Sequence, residues 1–207
     1  MFIYILYGIL ILFIGYFVFN GFKFFLVKHN SKIKGADKTT NKCSFLYKRY
    51  YLGILQKLNK TNFGDNAKFE LKPALVVICN LGIQNSGKDR EIITKYLVPW
   101  IKEKYIKNEE ENKEFYKRIA LYEEIIKGVP VRGEWLMGNL TPKEDRNEII
   151  DIGIAMGDIL VNPACADDYE GAPLMINDAN KIMDFSVVMA KEVFGELAEF
   201  YNRIYQL

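Results

Sequence analysis

The alternation of apolar and polar positions divides this chain into three stretches. From Met1 to Phe22 no side chain is charged, and nearly every residue is Ile, Leu, Phe, Tyr, Val or Gly. An uncharged run of about 20 residues spans the ~30 Å hydrocarbon core of a bilayer as a helix. Residues 1–27 are therefore expected to form a transmembrane anchor. Residues 28–42 are polar and carry Lys28, Lys32, Lys34, Lys38 and Lys42. Gly35 and the polar cluster from Asp37 to Asn41 oppose a continuous helix there, so this stretch is expected to be a basic juxtamembrane stalk. Residues 43–207 change to helical periodicity and are expected to form one globular domain.

Within that domain, Tyr47, Tyr51, Ile54, Leu55 and Leu58 recur at helical spacing and predict a helix from Cys43 to about Lys60. Thr61 to Lys72 reads as a polar loop. Pro73 opens the apolar run Ala74–Leu81, which fits a buried helix or a strand. Ser86 and Asp89 suggest a capping box for a helix from about Asp89, with a kink or break at Pro99. Asn108 is placed to cap a further helix whose first turn holds Glu109, Glu110 and Glu111. Phe115, Ile119, Tyr122 and Ile126 form its stripe, and Gly128 and Pro130 end it.

Thr141-Pro142-Lys143-Glu144 is a capping-box pattern that predicts a helix reaching Val161, where Asn162-Pro163 stops it. Ala164 to Asn177 reads as a loop. A last helix is expected from about Asp178 to Tyr205, with Ile182, Phe185, Met189, Val193, Leu197, Phe200 and Ile204 facing inward. The expected fold class is all-α: a single N-terminal transmembrane helix followed by an irregular bundle of five or six amphipathic helices.

Composition supports a packed domain. Half the residues are apolar and 14% are aromatic, which is ample for a core. The three cysteines, Cys43, Cys79 and Cys165, are odd in number and have no motif spacing, so they form no disulfide framework. Cys79 and Cys165 sit in apolar context as small core residues, and Cys43, just past the stalk, is expected to be the most reachable. The single histidine, His29, lies in the stalk. That removes most zinc sites and every His-dependent catalytic triad or dyad from the domain.

Charge decides the orientation. Residues 1–60 carry ten Lys/Arg and one acid, whereas residues 61–207 carry eighteen Lys/Arg and twenty-five acids. A signal peptide has a basic n-region and a shorter apolar core. Here no lysine or arginine precedes the run, and no small-x-small cleavage pattern follows it. The cations lie after the span, so the positive-inside rule places the C-terminal domain in the cytoplasm. Lys28, Lys32, Lys34 and Lys38 are expected to contact anionic lipid headgroups. The acidic distal half disfavours nucleic acid as a partner.

Candidate chemistry is sparse. Gly82-Ile83-Gln84-Asn85-Ser86-Gly87-Lys88-Asp89 resembles the phosphate-binding P-loop, in which backbone amides and a lysine cradle phosphates. The resemblance implies nucleotide contacts by Gly82, Gly87 and Lys88. It covers eight residues, and Asp89 stands where the Mg²⁺-holding hydroxyl belongs. Glu144, Glu148, Asp151 and Asp158 fall on one expected helix, and Glu148 and Asp151 share a face. Glu148-x-x-Asp151 resembles one helix of the all-α nucleotide pyrophosphohydrolases, which implies a Mg²⁺ site completed by Glu111 and Glu114. A solvated helix face is the alternative. The loop Asp167-Asp168-Tyr169-Glu170 offers Asp167, Asp168 and Glu170 to a basic protein partner or to Ca²⁺, or is an ordinary surface loop. Trp100 and Trp135 are expected in the core.

No catalytic residue is assigned. The sequence is best accounted for by a membrane-anchored interaction or tethering module at the cytoplasmic face, alone or as a homo-oligomer. The alternatives are a nucleotide- or Mg²⁺-dependent enzyme and an envelope-facing immunity-type protein.

Overall fold

A computed structural model describes residues 38–61, 63–88, 91–128, 147–169, 171–172 and 185–207. The expected anchor and most of the stalk, with Lys28, Lys32 and Lys34, lie outside these residues. From Lys42 onward the chain forms one compact unit. Among the described residues there is no strand, and six helices carry the structure. No described helix is long and apolar enough to cross a membrane.

Helix α1 covers 38–58 and buries Cys43, Tyr47, Tyr50, Tyr51, Ile54 and Leu58, with Leu55 partly covered. Helix α2, Gly64–Asn85, corrects the expectation of a polar loop at 61–72 and settles the ambiguous run after it as helix. Asp65 and Lys68 are exposed on the outer side of its first turns, but Glu70 and Lys72 are not solvated. Both are buried and paired with ions of a later helix. Pro73 lies in the interior of α2 instead of at its start. Two α1 hydroxyls donate to α2 carbonyls in the turns beside it, Tyr47 to Lys72 (3.2 Å) and Tyr51 to Lys68 (3.1 Å). Every residue from Leu71 to Cys79 is buried. A helix covered on all sides is the centre of a core, and α2 packs against three of the four helices that follow it.

A π-helical turn at Ile93–Leu97 leads directly into α3, Val98–Tyr105. The expected break at Pro99 does not occur. The widened turn sets Pro99 in the first turn of α3, where a missing N–H is tolerated. Asn108 caps α4, Glu109–Ile126, by accepting the Glu111 amide at 2.8 Å. Phe115 and Tyr122 are buried as expected, and Ile119 and Ile126 are partly covered. Gly128 adopts a φ of 107°, in the left-handed region, past the end of α4.

Helix α5 is Glu148–Val161, capped by Asn147, whose side chain accepts the Ile149 and Ile150 amides. The expected start at Thr141 is thus corrected within the described residues, because Asn147 is extended (φ −131°, ψ 175°). The Thr141–Glu144 pattern and Trp135 lie outside the described residues. Asn162 ends α5 as expected, and Pro163–Ala166 makes a short 3₁₀ turn. The final helical stretch begins its described part at Phe185, passes through a π turn at Met189–Val193 and ends in α6, Phe194–Tyr205. Phe185, Met189, Val193, Leu197, Phe200 and Ile204 are all buried, as their spacing predicts.

Candidate functional site

The chemistry of this domain is concentrated where α2 meets α4. Arg118 of α4 is 6% exposed and Glu70 of α2 is equally covered. The Arg118 Nε lies 3.0 Å from Glu70 Oε1, and Tyr122 Oη donates to Glu70 Oε2 at 3.2 Å. Arg118 Nη1 donates to the Ala166 carbonyl (2.7 Å), which ties the turn after α5 into the same cluster. Glu114, one turn earlier on α4, reaches Arg118 Nη2 at 3.5 Å. Burial pushes the Glu70 carboxyl above its ordinary value, against the pull of the Arg118 guanidinium and its hydrogen bonds. Burial likewise drives the Tyr122 hydroxyl well up.

A second buried ion sits two residues along α2. Lys72 Nζ lies 2.6 Å from Glu111 Oε1 and donates to the Tyr105 carbonyl at 2.7 Å. Partial burial opposes ionisation of Glu111. The Lys72 ammonium and the Lys107 amide (2.8 Å) outweigh it and hold the carboxyl below its ordinary value. On α5, buried Asp158 accepts the Tyr169 hydroxyl at 2.6 Å.

A cavity of ≈ 270 Å³ opens between the carboxyl-terminal halves of α2 and α4. Val77, Leu81 and Ile126 supply its apolar lining, and Asn80, Gln84, Glu123 and Lys127 its polar lining. Asn80 Nδ2 donates to Glu123 Oε1 at 3.3 Å. None of the four buried charges lines this cavity. Among the described residues, Glu70 and Lys72 of α2 instead face Arg118 and Glu111 of α4, and Asp158 faces the Tyr169 hydroxyl.

Glu111 and Glu114 belong to the ion cluster between α2 and α4; the other described residues singled out in the sequence lie outside it. Gly82 lies within α2, where an added Cβ would meet Ile204 at 2.8 Å. Gly87 has a φ of 72° and follows the C-cap residue Ser86. The Gly87 amide donates to the Gln84 carbonyl (3.1 Å) and the Lys88 amide to the Ile83 carbonyl (3.2 Å). These two bonds are the Schellman pattern that closes a helix carboxyl terminus. The chain thus reaches Gly87 from a helix. The amides that would face a phosphate point back into α2, at the end of the helix whose dipole is negative.

Glu148 is exposed in the first turn of α5 and Asp151 is half-buried. Glu111 and Glu114, which would complete a metal site, are bound to Lys72 and Arg118. Among the described residues no cluster of three or more His, Cys, Asp or Glu side chains is arranged to hold a metal ion. Asp167 pairs with Lys117 at 2.6 Å, which lowers its carboxyl, and Asp168 accepts the Gly171 amide at 2.8 Å. Glu170 lies outside the described residues. Lys38 is exposed.

Cys43 corrects the expectation that it is reachable. It is fully buried, and burial pushes its thiol up to about 11, against the nearby Lys88 charge. Cys79 and Cys165 are buried as expected. Trp100 packs edge-on to Tyr47 and Tyr105. No family model, no curated protein and no solved structure matches this chain.

Proposed function

We propose that this chain is a single-pass membrane protein whose helical domain holds a protein partner at the cytoplasmic face. The observation that carries the reading is the uncharged run Met1–Phe22, with lysines clustered directly after it. The domain adds a second support. Arg118 and Lys72 each join α4 to α2 through a buried ion pair. A scaffold braced in this way presents its outer surface, acidic away from the stalk, for recognition of a partner.

The test uses the full chain carrying Lys60→Cys, an exposed position at the end of α1. An impermeant thiol reagent is applied to intact and to lysed cells, and membranes are washed with alkaline carbonate. Retention in the membrane with labelling only after lysis is expected. Release by carbonate removes the anchor, and labelling of intact cells removes the cytoplasmic placement. After detergent solubilisation, a second protein at fixed stoichiometry is expected. Recovery of the chain alone, as monomer or homo-oligomer, removes the tethering role.

A further inference from the structure

The side of α1 turned away from the core has a composition unlike a solvated helix face. Phe45 is 67% exposed and Leu52 is 50% exposed. They are seven residues apart, two turns of helix, and so lie on one side. Lys48 and Arg49 fall between them at helical spacing, and Lys42 lies one turn before Phe45; all three are exposed. No acid occurs anywhere from Lys38 to Gly64. The opposite side of α1 is the buried tyrosine stripe. Large apolar side chains interleaved with lysine and arginine are the composition of helices that lie in a membrane interface.

We infer that this outer face of α1 rests on the anionic surface of the bilayer that holds the anchor. The inference depends on the anchor proposed above and goes beyond it by orienting the domain. Position along the chain favours lipid over a protein occupant. Only seventeen residues lie between Val27 and Phe45, so the tether spans at most about 60 Å. A tether this short keeps α1 at high effective concentration beside the headgroups. Phe45 and Leu52 enter the headgroup region while the lysines meet anionic lipid. Arg49 lies over the Tyr50 ring (5.8 Å) and near Glu199, so Lys42 and Lys48 carry more of the attraction.

The experiment reconstitutes the full chain into phosphatidylcholine vesicles with and without phosphatidylserine. An environment-sensitive fluorophore is attached through Leu52→Cys, with Leu10→Cys and Lys104→Cys as separate controls. Quenching is then read with a shallow doxyl lipid at positions 52 and 104 and with a deep doxyl lipid at position 10. Quenching at position 52 that rises with phosphatidylserine, with little at position 104, is expected. Lys48→Glu should lower the docked-to-free ratio by about tenfold or more. A quenched label at position 10 with an unquenched, water-exposed label at position 52 overturns the inference and leaves the anchor standing. No quenching at either position removes the anchor and the inference together. A blue-shifted label at position 52 that lipid does not quench means that protein covers this face, and overturns the inference.

Discussion

Loss of the Arg118 side chain would leave a buried carboxylate without its ion partner. A buried charge is tolerated only with a partner, and removing one member leaves the other desolvated and unpaired. Arg118→Met strands Glu70 and frees the Ala166 carbonyl, and is expected to lower unfolding stability by about 3–5 kcal/mol in urea titrations. The double variant Glu70→Leu/Arg118→Met should recover most of that loss, because no charge remains buried. Single-variant costs that simply add in the double variant would show that the two side chains are not coupled. Glu111 supplies a pH dependence. Its carboxyl is lowered in the fold, so its contribution is complete above the ordinary glutamate value of 4.5 and fades as pH falls through it. Glu111→Gln should therefore be less stable than the parent at pH 7, with a gap that closes as the solution is acidified toward about pH 3. A gap independent of pH would remove the ionic account of the Lys72–Glu111 contact.

At the scale of single helices, much was legible in the sequence, and each miss has a physical cause. Asn108 and the three following acids marked the start of α4 because orphan amides at a helix start select those side chains. The inward stripe of the last helix was equally plain. The start of α2 was hidden because Gly64 and Asp65 have turn composition, and Glu70 and Lys72 after them look solvated until their partners on α4 are known. The two π turns leave a trace in the spacing of apolar residues. Ile93, Leu97 and Ile101 are spaced strictly by four, as are Phe185, Met189, Val193 and Leu197, and all are buried. Steps of four advance about 40° per turn on a 3.6-residue helix, so such a stripe drifts off the core. A wider π turn takes up the drift. Here the Val98 amide reaches the Ile93 carbonyl and the Phe194 amide reaches the Met189 carbonyl. Two glycines test the packing of these helices. At Gly82 a Cβ would meet Ile204 Cβ at 3.1 Å and the Tyr205 amide nitrogen at 3.4 Å, so α6 has to move. Gly82→Ala is expected to destabilise by about 1–3 kcal/mol despite better helix propensity. Gly195 in α6 has nothing within 4 Å of its Cβ position. Gly195→Ala should stabilise by up to about 1 kcal/mol. If thermal melts showed Gly82→Ala stabilised alongside Gly195→Ala, the close approach of α6 to α2 would be wrong.

Across the molecule, periodicity identified helices but not which helix is central. That depends on which faces meet, and for α2 the deciding contacts come from far along the chain: Arg118 and Glu111 of α4, and Ile204 of α6. The candidate sites were less legible for a related reason. Gly82–Lys88 has the spacing of a phosphate loop, and the same glycine serves a phosphate loop or a helix end according to what precedes it. The Glu70–Arg118 cluster gave no local signal, because its members are 48 residues apart. The packing pattern has a consequence for local opening. Helix α2 contacts α4, α5 and α6, and its amides from Leu75 to Cys79 lie under all of that cover. The segment from Ile93 to Tyr105 is shorter, and it reaches the rest of the domain through the Trp100 and Tyr105 rings against α1, its π turn against α2, and the Tyr105 carbonyl that accepts Lys72 Nζ. Cooperative units with few long-range contacts open below the global unfolding free energy. In native-state hydrogen exchange, the α2 amides are expected to open only with the whole domain and to follow the full denaturant dependence. Amides of Ile93–Tyr105 should join a separate isotherm at lower free energy, with a smaller slope that reflects the smaller surface exposed. A single isotherm shared by both helices would mean that the Trp100–Tyr47–Tyr105 ring contacts bind α3 into the core as firmly as the ion pairs bind α4.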